Sequence, residues 1–155
     1  MKKERMISCI ILIFIDQLVK FLITNNITLN NEVVIIPKFF YLTNVLNTGG
    51  AFSILSGNTI ILAIVGLTVL FFLIKYLNNR KLSFITNIAY GILLGGIISN
   101  IIDRICLNGV RDYIGIKIFS YNYPIFNIAD MGIVIGAILI VLFEYRGEIH
   151  GNRSK

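Results

Sequence analysis

The residues able to do chemistry in this 155-residue chain are few and of restricted kind. Asp16 precedes Lys20 by four positions in DQLVK, and Asn47 opens NTGGAF. Asn100, Asp103 and Arg104 close GGIISNIIDR, Asp112 sits in VRDYI, and Asn127 and Asp130 head the run FNIADMGIVIGAILIVLF. No nucleophile or metal set accompanies them. The single histidine, His150, lies in the tail, and the two cysteines, Cys9 and Cys106, have no metal-ligand spacing. Carboxyl acid–base chemistry and an ion path are what these residue types leave open.

The elements that must position them are apolar. The chain is 56% hydrophobic and 14% charged, with mean hydropathy +0.82. Soluble domains run at about 45–50% and about 25%. A membrane takes up that excess. Four segments approach the ~20 residues needed to cross about 30 Å of hydrocarbon: 6–23, 60–77, 84–102 and 125–143. The first follows Lys2, Lys3 and Arg5 without a small-residue cleavage site, so an uncleaved anchor is expected. The length predicts one domain, 1–155.

The net charge of +6 is read as topology rather than as nucleic-acid binding. Nine Lys and Arg residues fall at the N-terminus, between spans two and three, and in the tail, against Lys38, Arg104, Arg111 and Lys117 on the other side. This places both termini in the cytoplasm and Cys9 and Cys106 on opposite sides, too far apart for a disulfide. The segments 25–59 and 103–124 then face outward. EVVII and FFYLTNV flank Pro37-Lys38, and DYIGIKIF alternates, so a small sheet on the outer membrane face is predicted.

On this topology the polar residues meet. Asp16 and Lys20 share a face in the outer half of span one. Asn100, Asp103 and Arg104 share the outer end of span three. Asp130, expected more than a turn inside span four, lies with Asn127 at its outer start, and Asn47 and Asp112 are outside. An ionisable group at membrane depth costs on the order of 2.5–3.5 kcal/mol, so several at one level mark a site. Each also has a structural reading. Asp16 and Lys20 form an ion pair, Asp103 and Arg104 lock spans, Asn100 and Asn127 strut helices, and Gly95-Gly96 permits close helix contact.

Together these motifs resemble those of bacterial lipoprotein signal peptidase, also called signal peptidase II. The resemblance runs in order through DQLVK, NTGGAF, GGIISNIIDR, VRDYI and FNIAD, over nearly the whole chain. Ser99, Tyr113 and Gly50 depart from the residues frequent in the family. The resemblance implies an all-α polytopic membrane protein with four transmembrane helices, an extracytoplasmic β-sheet (a β-cradle) and a short peripheral helix. It implies an aspartic endopeptidase that removes the signal peptide from diacylglyceryl-modified prolipoproteins by cutting just before the lipidated Cys. Carried over by motif, Asp112 and Asp130 are catalytic. Asn47, Gly49, Asn100, Asp103, Arg104 and Asn127 shape the pocket or hold substrate. No metal or cofactor is expected. A monomer in the bacterial cytoplasmic membrane is expected, with its site near the outer leaflet and open to globomycin-type cyclic peptides.

In such a mechanism two carboxyls share one proton, one activating water and the other polarising the scissile carbonyl. Arg104 and Arg111 are expected to favour ionised Asp112, and Asn47 and Asn127 to bind the substrate backbone. The chief alternative is a small transporter or proton channel built on the same Asp, Asn and Arg cluster. A non-enzymatic scaffold is the second alternative.

Overall fold

The computed structural model describes residues 2–50, 56–78, 80–119 and 121–151, with side chains through Glu144. Ala51 and Phe52 of NTGGAF, and Arg153 and Lys155 of the tail, lie outside the described residues.

Four long helices and four strands are built in the order α1 (Lys3–Asn26), β1 (Glu32–Ile36), β2 (Phe40–Asn47), α2 (Thr59–Asn78), α3 (Phe84–Leu107), β3 (Val110–Ile118), β4 (Tyr121–Asn122) and α4 (Ile128–Gly151). The helix ends follow local chemistry. Ser83 caps α3 by accepting from the Thr86 N–H at 3.1 Å, and Asn108 ends it in the left-handed conformation at φ 54°. Thr24 and Asn26 turn their side chains back onto carbonyls of the last turns of α1. Among the described residues α1, α2 and α3 are each long and apolar enough to cross a membrane. The expected short peripheral helix has no counterpart among the described residues.

α3 is the axis of the bundle. α1, α2 and α4 all pack against it, and its residues Ala89, Tyr90 and Leu94 are buried. Gly95 and Gly96 set the spacing. A Cβ at Gly95 would stand 2.8 Å from the Cys9 carbonyl oxygen of α1, and one at Gly96 would collide with the Ala129 carbonyl of α4. Two small residues thus let α3 touch backbone on both sides. The outward faces remain apolar: Phe14, Phe71, Phe72 and Val141 are each more than half exposed. Such faces fit lipid and not water.

The strands form one antiparallel sheet in the order β1-β2-β3-β4. EVVII is β1 to the residue, and Lys38 turns the hairpin at φ 62°. A bulge between Leu42 and Val45 buries Thr43 and Asn44. Asn44 donates to the Ile27 carbonyl at 2.8 Å, tying the sheet to the end of α1. The register then sets Val45 opposite Asp112 and Asn47 opposite Val110.

Two boundaries differ from the sequence reading. α3 runs on past residue 102 to Leu107, so Asp103 and Arg104 are helical rather than part of an outward loop. α4 begins at Ile128, not at residue 125, because Phe126 is held extended against β3: its carbonyl accepts from the Tyr113 and Ile114 N–H groups at 3.1 and 2.8 Å. Asp130 is therefore in the first turn of its helix, not more than a turn inside it.

Candidate active site

Asn127 caps α4, and Asp130 is the third helical residue. The Asp130 N–H donates to Asn127 Oδ1 at 2.9 Å, and the Asn127 N–H donates to Asp130 Oδ2 at 3.2 Å. This is a capping box built from Asn and Asp. It fixes the Asp130 carboxylate at the helix start and turns the Asn127 amide nitrogen toward β3. That nitrogen donates to Asp112 Oδ1 at 2.6 Å. Asn127 therefore touches both carboxylates, one through its side chain and one through its backbone.

Asp112 receives a second donor from β2. Asn47 Nδ2 donates to Asp112 Oδ2 at 2.9 Å, while Asn47 Oδ1 accepts from the Gly49 N–H at 2.9 Å. Asp130 receives its second from α3, as Asn100 Nδ2 donates to Oδ1 at 2.8 Å. Asp112 is 3% exposed, and Asp130 is half-buried. Burial pushes the Asp112 carboxyl up to about 7, with the neighbouring Asp130 charge adding to it, against the pull of the Asn47 and Asn127 donors.

Both carboxylates line one cavity of about 850 Å³. Asn47 and Arg104 line it too, and Val45, Phe126, Ile133 and Val134 supply apolar wall. The other expected pocket residues stand behind this surface. Asn127 is fully buried, with its amide nitrogen on Asp112 and its amide oxygen on the Asp130 N–H. Gly49 orients Asn47, and Asn100 is 5% exposed and faces Asp130.

Asp103 belongs to a different cluster. It is fully buried, facing α1 and β3. Lys20 Nζ lies 2.7 Å from Asp16 Oδ2 and 3.1 Å from Asp103 Oδ2. Arg111 Nη2 lies 2.6 Å from Asp103 Oδ1 and also donates to Gln17 Oε1 at 2.7 Å. Arg111 thus turns away from its neighbour Asp112, contrary to expectation, because adjacent strand residues point to opposite faces. Ser99 donates to Asp16 at 2.6 Å, and Asp16 Oδ1 accepts from the Ala129 N–H at 2.9 Å. This clamp ties α1, α3, α4 and β3 together just behind the cavity.

Sequence reasoning missed Gln17, Ser99, the clamp role of Arg111, and Tyr113, whose hydroxyl accepts from the Ile128 N–H at 3.2 Å. Gln17 and Ser99 do lie inside the quoted motifs, one residue from Asp16 and Asn100. No metal-binding group of three or more His, Cys, Asp or Glu occurs among the described residues.

Fold and site together define a membrane protein with two carboxylates lining one cavity beside apolar helices. Comparison with known proteins is more specific. The family model described as signal peptidase II matches residues 8–146, and the chain belongs to that family. It is 37% identical to a lipoprotein signal peptidase of Staphylococcus carnosus (strain TM300), over 92% of this chain and 93% of that one. It is 35% identical to a lipoprotein signal peptidase of Halothermothrix orenii, over 94% and 98%. Two solved structures, both described as bacterial membrane enzymes, share the fold. One has TM-score 0.83 and 30% identity over 92% of this chain and 87% of that chain; the other has TM-score 0.78 and 31% identity over 89% and 90%.

Proposed function

We propose that this chain is a lipoprotein signal peptidase working as a single membrane-embedded domain. It hydrolyses the bond just before the diacylglyceryl-modified Cys of prolipoproteins, with Asp112 and Asp130 as its catalytic pair. The observation that carries this reading is the shared cavity: both carboxylates line it, and Asn127 holds both.

Near neutral pH the pair shares one proton, burial pushing the Asp112 carboxyl up to about 7, and the productive form carries that proton on Asp112. Asp130 takes a proton from a water, whose oxygen attacks the scissile carbonyl carbon. Asp112 gives its proton to the carbonyl oxygen as the tetrahedral species forms. As that species collapses, one of its hydroxyls returns a proton to Asp112 and the C–N bond breaks. The amine of the lipidated Cys leaves with the proton held by Asp130, so the pair regains its single proton and the signal peptide ends in a new carboxyl group. Asn47 and Arg104, with Thr48, Ser56 and Asn122, are polar residues of the cavity wall that face substrate, and the apolar wall receives the residues before the cut. Gly49, Asn100 and Asn127 support the pair, while Asp103 acts through the clamp and the Asp16–Lys20 ion pair is part of that clamp.

The topology that fits this chemistry has α4 as a fourth span, since Met131 to Phe143 carries no charge. Both termini are then cytoplasmic, and the sheet and cavity lie at the outer leaflet of the bacterial cytoplasmic membrane. The acyl chains of the substrate stay in lipid while its peptide bond reaches the pair. A globomycin-type cyclic peptide competes for the same cavity, and a monomer suffices because every group named comes from one chain.

A transporter or proton channel fits less well. On α3, residues 91–98 hold only Gly, Ile and Leu. About 12 Å of helix thus separates the outer polar cluster from Tyr90 and Asn87 at the other end. The test is incubation of purified protein in lipid with a diacylated prolipoprotein and its unlipidated twin. A product beginning at the lipidated Cys, absent with the twin and suppressed by globomycin, supports the reading. Proton flux through liposomes without cleavage rejects it.

A further inference from the structure

Each carboxylate of the pair is met by amide nitrogens, and a donor on the amide oxygen is what holds each amide in that sense rather than flipped. The Gly49 N–H claims Asn47 Oδ1, and the Asp130 N–H claims Asn127 Oδ1. For Asn100 the oxygen accepts from Lys20 Nζ at 3.2 Å, with Asn127 Nδ2 at 3.3 Å. The charged one of these donors, fully buried on α1, is Lys20. A charge-assisted donor to an amide oxygen also polarises the N–H groups on its far side.

The Lys20 ammonium has three donors, of which Asp16 and Asp103 take two and Asn100 the third. Asp16 and Asp103 against Lys20 and Arg111 already balance in charge. Arg104 on the cavity wall then balances the single negative charge of a half-protonated pair.

Resting on the peptidase reading above, we infer that Lys20 is a positioning residue for Asp130. Through the Asn100 amide it fixes which end of that amide faces the carboxylate, beyond its part in the ion pair. The line Lys20 Nζ, Asn100 Oδ1, Asn100 Nδ2, Asp130 Oδ1 runs from α1 through α3 to α4 in two hydrogen bonds of 3.2 and 2.8 Å.

Lys20→Met alone strands two buried acids and fails to fold in the harsher case. The working variant is therefore Asp16→Asn with Lys20→Met, which removes one charge of each sign. Asn100→Ala and the triple variant complete a cycle. All four proteins are assayed on diacylated prolipoprotein, and their melting temperatures are measured. The expected result is a folded double variant with kcat lowered about tenfold and KM within about twofold. The triple variant should lose no more than Asn100→Ala does. Wild-type kcat in a folded double variant, or losses that multiply in the triple, overturn the inference. So does failure of the double variant to fold, which assigns Lys20 to the fold alone. Asp112→Asn is run alongside: if it too keeps full activity, the peptidase pair itself is wrong, a different failure from that of Lys20.

Discussion

Asp112 is held at a cost. Its carboxyl ordinarily titrates near 3.8 and here near 7. The folded state therefore binds this proton more tightly than the unfolded chain does. The stability tied to this group is full below pH 4 and is lost as pH rises through 7. The loss is about 4 kcal/mol at most, from roughly three units at about 1.4 kcal/mol each. Asp112→Asn removes the titration but leaves one of the two donors, Asn47 or Asn127, facing an amide nitrogen, a penalty of about 1–3 kcal/mol. Denaturation of Asp112→Asn beside the wild type should show its relative stability climbing from pH 4 to pH 7 and flat above pH 8, with turnover down roughly 10²–10⁴-fold. A relative stability that does not change with pH would mean the carboxyl is not perturbed. At this scale much was legible. Asp16 and Lys20 sit four apart on one helix face, so their pairing follows from the helical period. Gln17, Ser99 and Arg111 did not announce themselves, because their hydrogen bonds join residues more than eighty apart or depend on which face of β3 is inward.

At the scale of elements, α3 sets how closely the first turn of α4 can approach. Ala129, whose carbonyl packs on Gly96, immediately precedes Asp130. Gly96→Ala should therefore push the start of α4 outward, costing about 1–3 kcal/mol and lowering turnover together with stability. Gly66→Ala is the control. Its Cβ meets only the Ile101 side chain, at 3.1 Å, which a rotamer change relieves. Thermal melting and turnover of the two variants separate these cases; equal behaviour would show that the α3–α4 contact does not position the site. The start of α4 was the boundary the sequence could not give. Ile125 and Phe126 read as the first residues of the last apolar span, and the long-range pairing of Phe126 with β3 is what holds them extended. The strands were easier, since β1 is bounded by Glu32 on one side and Pro37 on the other.

For the whole molecule, the apolar outward faces of the helices and the buried polar clamp are two halves of one arrangement. The clamp fastens the sheet to the helix ends, and the sheet supplies Asn47 and Asp112 to a cavity whose other carboxylate comes from α4. The proposed orientation gives Cys106, exposed at the end of α3, to the outside, while Cys9 is buried at 5% exposure. A membrane-impermeant thiol reagent added to intact cells lacking a cell wall should label Cys106 in full-length protein, and Cys106→Ser should abolish the signal. Labelling only after the membrane is broken would invert the topology. Charge counting is the basis of this proposed orientation, since nine cationic residues against four is a large bias; the bulge at Thr43–Asn44 was not legible, because it lies in the long-range register of β2 against β3.

The claim on which everything else stands is that two carboxyls, one from β3 and one from α4, work on one water. The direct measurement is single-turnover cleavage of a diacylated prolipoprotein by wild type, Asp112→Asn and Asp130→Asn, each shown to be folded by its melting curve. The account predicts that both variants lose at least about a hundredfold in rate, and that the double variant is no slower than the slower single. A folded single variant that cleaves at the wild-type rate would contradict it.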